Sequence, residues 1–180
     1  MPLLGTIASQ FSGKSFGSFE SIATVTGTGS SGTVSFTSIP ATYKHLQIRG
    51  TFFDGTGYSV KMRFNSDTGS NYAYHGLTGT GATANGTAGA NPIDFMVIIN
   101  TNGNVTNIPA VAIIDIHDYA STTKNKTTRT FNGRDENGSG EVELRSGLWQ
   151  STSAITRIDI SVNGSFTNVT QLALYGIKGA

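Results

Sequence analysis

The sequence predicts an all-β chain: a β-sandwich or jelly-roll-like domain over residues 18–180, preceded by a short N-terminal arm over 1–17. Three observations predict it. Strand-like runs recur at short spacing, separated by clusters of Gly, Asn, Ser and Thr. No segment carries a convincing helical period of apolar residues. The polarity comes from Ser, Thr, Asn and 23 Gly, with only 13% charged residues, which suits strands joined by many turns.

The elements follow in order. SFESIATVT (18–26) opens the strand-rich part. TVSFTSI (33–39) alternates, with Val34 and Phe36 on one face. KHLQIRGTFF (44–53) places Leu46 and Ile48 inward, and YSVKMRFN (58–65) sets Val60, Met62 and Phe64 against Lys61 and Arg63. IDFMVIIN (93–100) and AVAIIDIHD (110–118) are apolar on both faces, which predicts central strands or strands that meet another subunit. TTRTFN (127–132), EVELRSGLW (141–149), ITRIDISV (155–162) and QLALYGI (171–177) complete the strands. The small, polar segment 78–92 reads as a long exposed loop.

Composition narrows function mainly by exclusion. A chain of 180 residues is one ordinary domain with room for a core. The formal net charge of +1 offers no electrostatic capture of nucleic acid or of an anionic membrane. No stretch approaches the roughly 20 apolar residues of a membrane-spanning helix. The absence of cysteine removes disulfides, a thiolate nucleophile and cysteine-based zinc sites. The arm holds Leu3, Leu4, Ile7, Phe11 and Phe16, with no alternation and no basic start of the kind a signal peptide has. Apolar residues on an arm need a partner to cover them, so these five are the candidate partner-binding residues.

Two motifs suggest nucleotides and fail on context. ASQFSGKS (8–15) fits a relaxed phosphate-loop pattern, but the residues after it are strand-like and supply no helix N-terminus to hold phosphates. GTGSSG (27–32) is a Gly-x-Gly-x-x-Gly run between two strands, which predicts a hairpin turn. In DENGSGE (135–141), Asp135, Asn137 and Ser139 copy the opening of a calcium loop, but the twelfth position is Ser146 where a bidentate Glu belongs. A hairpin turn is the simpler account, and no cofactor is expected beyond that calcium candidate. Asn65, Asp67 and Asn71 could likewise ligate, but read as a polar turn. Asp115 and His117 share a strand face with Asp118 beside them, and His45 and His75 are the other histidines. No Gly-x-Ser-x-Gly elbow nominates a serine, so no catalytic group is assigned. Trp149 ends a well-patterned strand and reads as a packing residue, while Tyr58, Tyr72 and Tyr74 lie near loops where aromatics could stack on sugars.

FTSIPATYKHLQIRGT (36–51), MRFNSDTGSNYAYHGL (62–77), IIDIHDYASTTKNKTTRTFNGRDENGSG (113–140) and ALYGIKG (173–179) together resemble a family of small β-rich virion proteins of tailed bacteriophages. The resemblance implies a structural protein made in the host cytoplasm and displayed on the virion surface, and it carries no catalytic motif. The expected function is capsid decoration: a homotrimeric cement protein that binds the major capsid protein lattice, anchored by the arm. The alternative is a tail-fibre or tail-tip module, partnered by tail proteins and binding a host glycan. An enzyme would need a cleft with two placed carboxylates, and no spacing among Asp115, Asp118, Asp135 and Glu141 favours a pair.

Overall fold

In a computed structural model, residues 18–53, 59–99 and 108–179 are described. The arm, the phosphate-loop-like motif and Tyr58 lie outside the described residues. Among those described there is no helix, and twelve strands form two antiparallel sheets. The strands are β1 (Phe19–Thr26), β2 (Thr33–Phe36), β3 (His45–Phe52), β4 (Val60–Phe64), β5 (Tyr72–Gly79), β6 (Ala84–Ile93), β7 (Met96–Ile99), β8 (Ala110–His117), β9 (Lys126–Asp135), β10 (Gly140–Trp149), β11 (Ile158–Ser161) and β12 (Gln171–Ile177). The large sheet has the order β1-β12-β3-β8-β9-β10-β5-β6, and the small one β2-β11-β4-β7. The chain is a β-sandwich, as its alternating runs predict.

The core forms where the small sheet faces β12, β3 and β8. Val34, Phe36, Val60, Met62, Phe64, Ile158 and Ile160 come from the small sheet, and Leu46, Ile48, Ile114, Ile116, Leu172 and Leu174 from the large one. Alternation explains this half apart from Gln47, which is buried between Leu46 and Ile48: every second residue is apolar, and that face is buried. Trp149 also packs as its pattern predicts. Its ring stacks on Tyr72 at 6.3 Å and tilts against Phe64 at 5.5 Å, and its Nε1–H donates to Asp67 Oδ2 at 2.7 Å.

Three expectations need correction. The run at 27–32 is not a hairpin turn, because β1 belongs to the large sheet and β2 to the small one. The glycines let the chain cross between sheets. A Cβ on Gly27 would collide with the Thr167 carbonyl oxygen, so the close approach itself requires glycine. Segment 78–92 is not a loop: it is the end of β5, a turn held by the Thr80 N–H to Thr83 carbonyl bond of 3.0 Å, and edge strand β6. Main-chain pairing to β5 holds β6, so its small residues need no apolar face. The two runs apolar on both faces also separate. β8 is central, whereas β7 is an edge strand whose four residues are all buried.

Carboxylates pin the crossings. Burial pushes the Asp67 carboxyl up, but donation from the Asn71 amide, the Gly69 N–H and the Trp149 indole outweighs it and holds the group below 3.8. Asp159 behaves alike: burial is again outweighed by hydrogen bonds from Arg157, Ser35 and Ser66. Burial and the neighbouring His117 hold His45 below 6.5, and its Nδ1 accepts the Asp118 N–H at 3.1 Å. All three depressed values have one sign. Their stabilisation is present above the unfolded values and is lost as pH falls through the folded ones. Glu141 opposes them, because burial and then Glu143 raise it. Calorimetry across pH is expected to show Tm falling first below 6.5 and again below 3.8, with His45→Gln removing the first step and leaving the second.

Candidate interaction surface

The large sheet reverses its polarity between β8 and β9. One inward-facing row runs Leu174, Ile48, Ile114, Thr130, Arg145, turning from aliphatic to polar halfway across. The next inward row places Asn132 beside Glu143 and Thr78. These polar side chains are buried: Glu143 is 0% and Arg145 4% exposed. The burial is tolerated because they satisfy one another. Arg145 Nη2 donates to Glu143 Oε1 at 2.6 Å and Nε to Oε2 at 3.1 Å, a fork on a carboxylate, and Thr78 Oγ1 donates to Oε1 at 3.0 Å. Asn132 Nδ2 donates to the Ile98 carbonyl at 3.1 Å, which satisfies edge strand β7 from the opposite sheet. Lys126, also fully buried, donates from Nζ to the Lys124 carbonyl at 2.7 Å.

The outward face of the same strands is apolar. Leu77, Val111, Ile113, Phe131, Val142 and Leu144 are all large and exposed, with Phe131 at 55%. They stand in two adjacent cross-strand rows. Ile113, Phe131, Leu144 and Leu77 face one another in register and form a ridge. Beside it run Val111, Gly133, Val142 and Gly79, where Gly79 leaves open space and Gly133 adds no side chain, with the Glu141 carbonyl oxygen and Val142 Cγ2 close to where its Cβ would stand. A groove of about 730 Å³ lies there, bounded by the β9–β10 turn at 138–140 and by Thr80 and Gly81. A third row, Asp115, Arg129, Ser146 and His75, makes a polar border on the far side of the ridge. Together the six apolar side chains expose on the order of 600 Å², at the upper end of the largest patch on a typical monomer and of a size that is often functional.

The residues singled out from sequence do other work. Asp135, Asn137 and Ser139 form the β9–β10 turn: Asp135 Oδ1 accepts the Asn137 N–H at 2.8 Å, and the Glu136 N–H reaches the Ser139 carbonyl at 2.9 Å. Among the described residues no three His, Asp or Glu side chains converge on a metal position. Asp115 and His117 do share the outer face of β8 but point to different partners. Asp115 accepts from Gln47 Nε2 at 2.6 Å, while His117 meets the His45 ring at 4.9 Å. Asp118 turns away from both into ion pairs with Lys44 at 3.0 Å and Lys124 at 2.7 Å, which hold its carboxyl far below the ordinary value. Asn65 and Asp67 are turn residues of the β4–β5 crossing. Tyr72 is fully buried and cannot stack on a sugar; burial pushes its phenol up to about 12. Tyr74 is half-buried against Gly89 and Arg145.

Sequence reading passed over the exposed ridge. Its signal is present in EVELR, where Val142 and Leu144 alternate with Glu141, Glu143 and Arg145, but alternation alone assigns the apolar side to the interior. No known family model matches the chain, and no curated protein matches it either.

Proposed function

We propose that this chain is a structural protein of a tailed-bacteriophage virion, a decoration protein that binds the outer capsid shell and stabilises it. The observation that carries the reading is the reversed half of the large sheet, which buries charge and leaves an apolar face outward. Burying Glu143 and Arg145 while exposing Phe131 is costly for an isolated domain and sensible for one that works by docking. The strand order supports it. Leaving out β1, β12 and the β9–β10 hairpin, the strand orders read β2-β11-β4-β7 and β3-β8-β5-β6, with β8 and β5 held apart by the hairpin that pairs with both. We read these as a jelly roll, an architecture used by viral capsid and lectin domains, with the β9–β10 hairpin inserted between β8 and β5. That hairpin carries Phe131, Val142 and Leu144, so the elaboration of the fold supplies half of the docking face, and β8 and β5 of the common part supply Val111, Ile113 and Leu77. The resemblance in sequence supplies the virion.

Decoration works by mass action: a protein that binds the assembled lattice and not its separated subunits stabilises the lattice. The arm with Leu3, Leu4, Ile7, Phe11 and Phe16 is the proposed capsid anchor. Gold-labelled antibody on intact phage is expected to mark the head. A chain lacking residues 1–17 is expected to keep its buried-Trp149 fluorescence and lose capsid binding. Label confined to the tail would reject decoration in favour of the tail module, and normal binding by the truncated chain would reject the anchor.

A further inference from the structure

We propose that the apolar outer face of the large sheet pairs with the same face of a second copy of this chain, about a two-fold axis lying between the ridge and the groove. The proposal needs the face to be an interaction surface and is independent of the particle that carries the protein.

Two sheet faces pack about 10 Å apart with their strands roughly aligned. An axis in the contact plane, perpendicular to the strands and midway between two neighbouring rows, places each row of one copy opposite the other row of its mate. The ridge of Ile113, Phe131, Leu144 and Leu77 then lies over the Val111, Gly133, Val142 and Gly79 row. Each strand meets its own copy, so each must be complementary to itself read backwards.

Strand β9 meets that demand. Its outward residues are Arg129, Phe131, Gly133 and Asp135, in that order, and all but Gly133 are exposed. Under the two-fold, Phe131 of one copy lies over Gly133 of the other, which has no side chain of its own, and Arg129 faces Asp135. The same pair recurs on the other side of the axis. Strand β5 repeats the volume pattern, with Leu77 followed two residues later by Gly79. On β10 and β8 the axis sets Leu144 against Val142 and Ile113 against Val111, apolar against apolar. An isologous contact requires such self-complementarity, and an unrelated partner would not. Size agrees too: roughly 600 Å² of apolar surface plus the charged border approaches the about 800 Å² that each partner buries in a standard stable interface. A net charge of +1 leaves little repulsion between copies. A three-fold assembly, the expectation from sequence, would not bring β9 against itself.

The test is the mass of the purified full chain by light scattering and sedimentation, with charge reversals on β9. The expected result is a dimer. Arg129→Glu alone, or Asp135→Arg alone, should weaken dimerisation by about tenfold or more, because each creates two like-charge contacts per dimer. The double variant Arg129→Glu with Asp135→Arg should restore it, a rescue that a general loss of folding cannot mimic. Phe131→Lys should give a monomer with unchanged Trp149 fluorescence. A monomeric wild-type chain at high concentration, a trimer indifferent to the single reversals, or a double variant no better than either single one would each overturn the proposal. So would a chain that dimerises only after residues 1–17 are removed, since the arm would then be what covers the face. A dimer on a particle labelled only at the tail would leave the pairing intact and remove only the capsid assignment.

Discussion

Replacing Arg145 by Met is expected to destabilise the protein by about 3–5 kcal/mol, and replacing Glu143 by Leu in the same chain should recover most of that loss. Glu143 and Arg145 stand two apart on the inward face of β10 and are joined by two hydrogen bonds. Taking both charges out of water costs several kcal/mol each, and their mutual attraction in a low-dielectric setting offsets that cost only while both are present. With Met at 145, the Glu143 carboxylate keeps its desolvation cost without its fork of donors. With both positions apolar, neither cost remains, and the Thr78 hydroxyl loses one acceptor. Urea unfolding followed by Trp149 fluorescence measures both variants. If the double variant is as unstable as the single one, the pair is not the source of the effect and the polar interior is held by other contacts.

Trp149→Ala is expected to cost about 3–5 kcal/mol, the range for deleting a large aromatic from a core. The side chain is 2% exposed and fills the space between Tyr72 at the start of β5 and Phe64 at the end of β4. It also ties β10 to the β4–β5 crossing through Asp67. Trp149→Phe separates the two roles: it keeps most of the ring contact and removes the indole donor, so it should cost about 1.5–3 kcal/mol, the worth of a hydrogen bond to a charged group. With one of its three donors gone, the Asp67 carboxyl moves back toward its ordinary 3.8, and the loss of stability below that pH should flatten. Calorimetric unfolding against pH tests this, and an unaltered acid slope in Trp149→Phe would mean that Asn71 and Gly69 suffice to hold the carboxylate.

Both experiments act where pattern and packing part company. In the half of the molecule around Leu46, Ile48, Ile114 and Leu174, local pattern and tertiary burial agree, and the strands are readable residue by residue. The period of two is a property of the extended backbone, so it survives in any sequence that forms strands. Turn chemistry was readable too, and Asp135 to Gly140 forms the hairpin its residues suggest. Segment 84–93 was not readable as a strand, because an edge strand held by main-chain bonds leaves no imprint in side-chain pattern. Nor was the crossing at Gly27 to Gly32 distinguishable from a hairpin. Glycine marks a tight approach in both cases, and which sheet receives the next strand depends on partners more than a hundred residues away, such as β11 and β12.

The amino-acid order alone was enough to show that Val142 and Leu144 point one way and Glu143 and Arg145 the other. It did not contain which way is in. That choice belongs to the tertiary structure, because a sheet face is interior only if another layer lies over it. Across β9, β10 and β5 it is the polar side that is buried, held by the Glu143–Arg145 pair and by Asn132 reaching the Ile98 carbonyl. The apolar side therefore faces outward, and the surface we assign to docking exists only because the sheet folds with that sense.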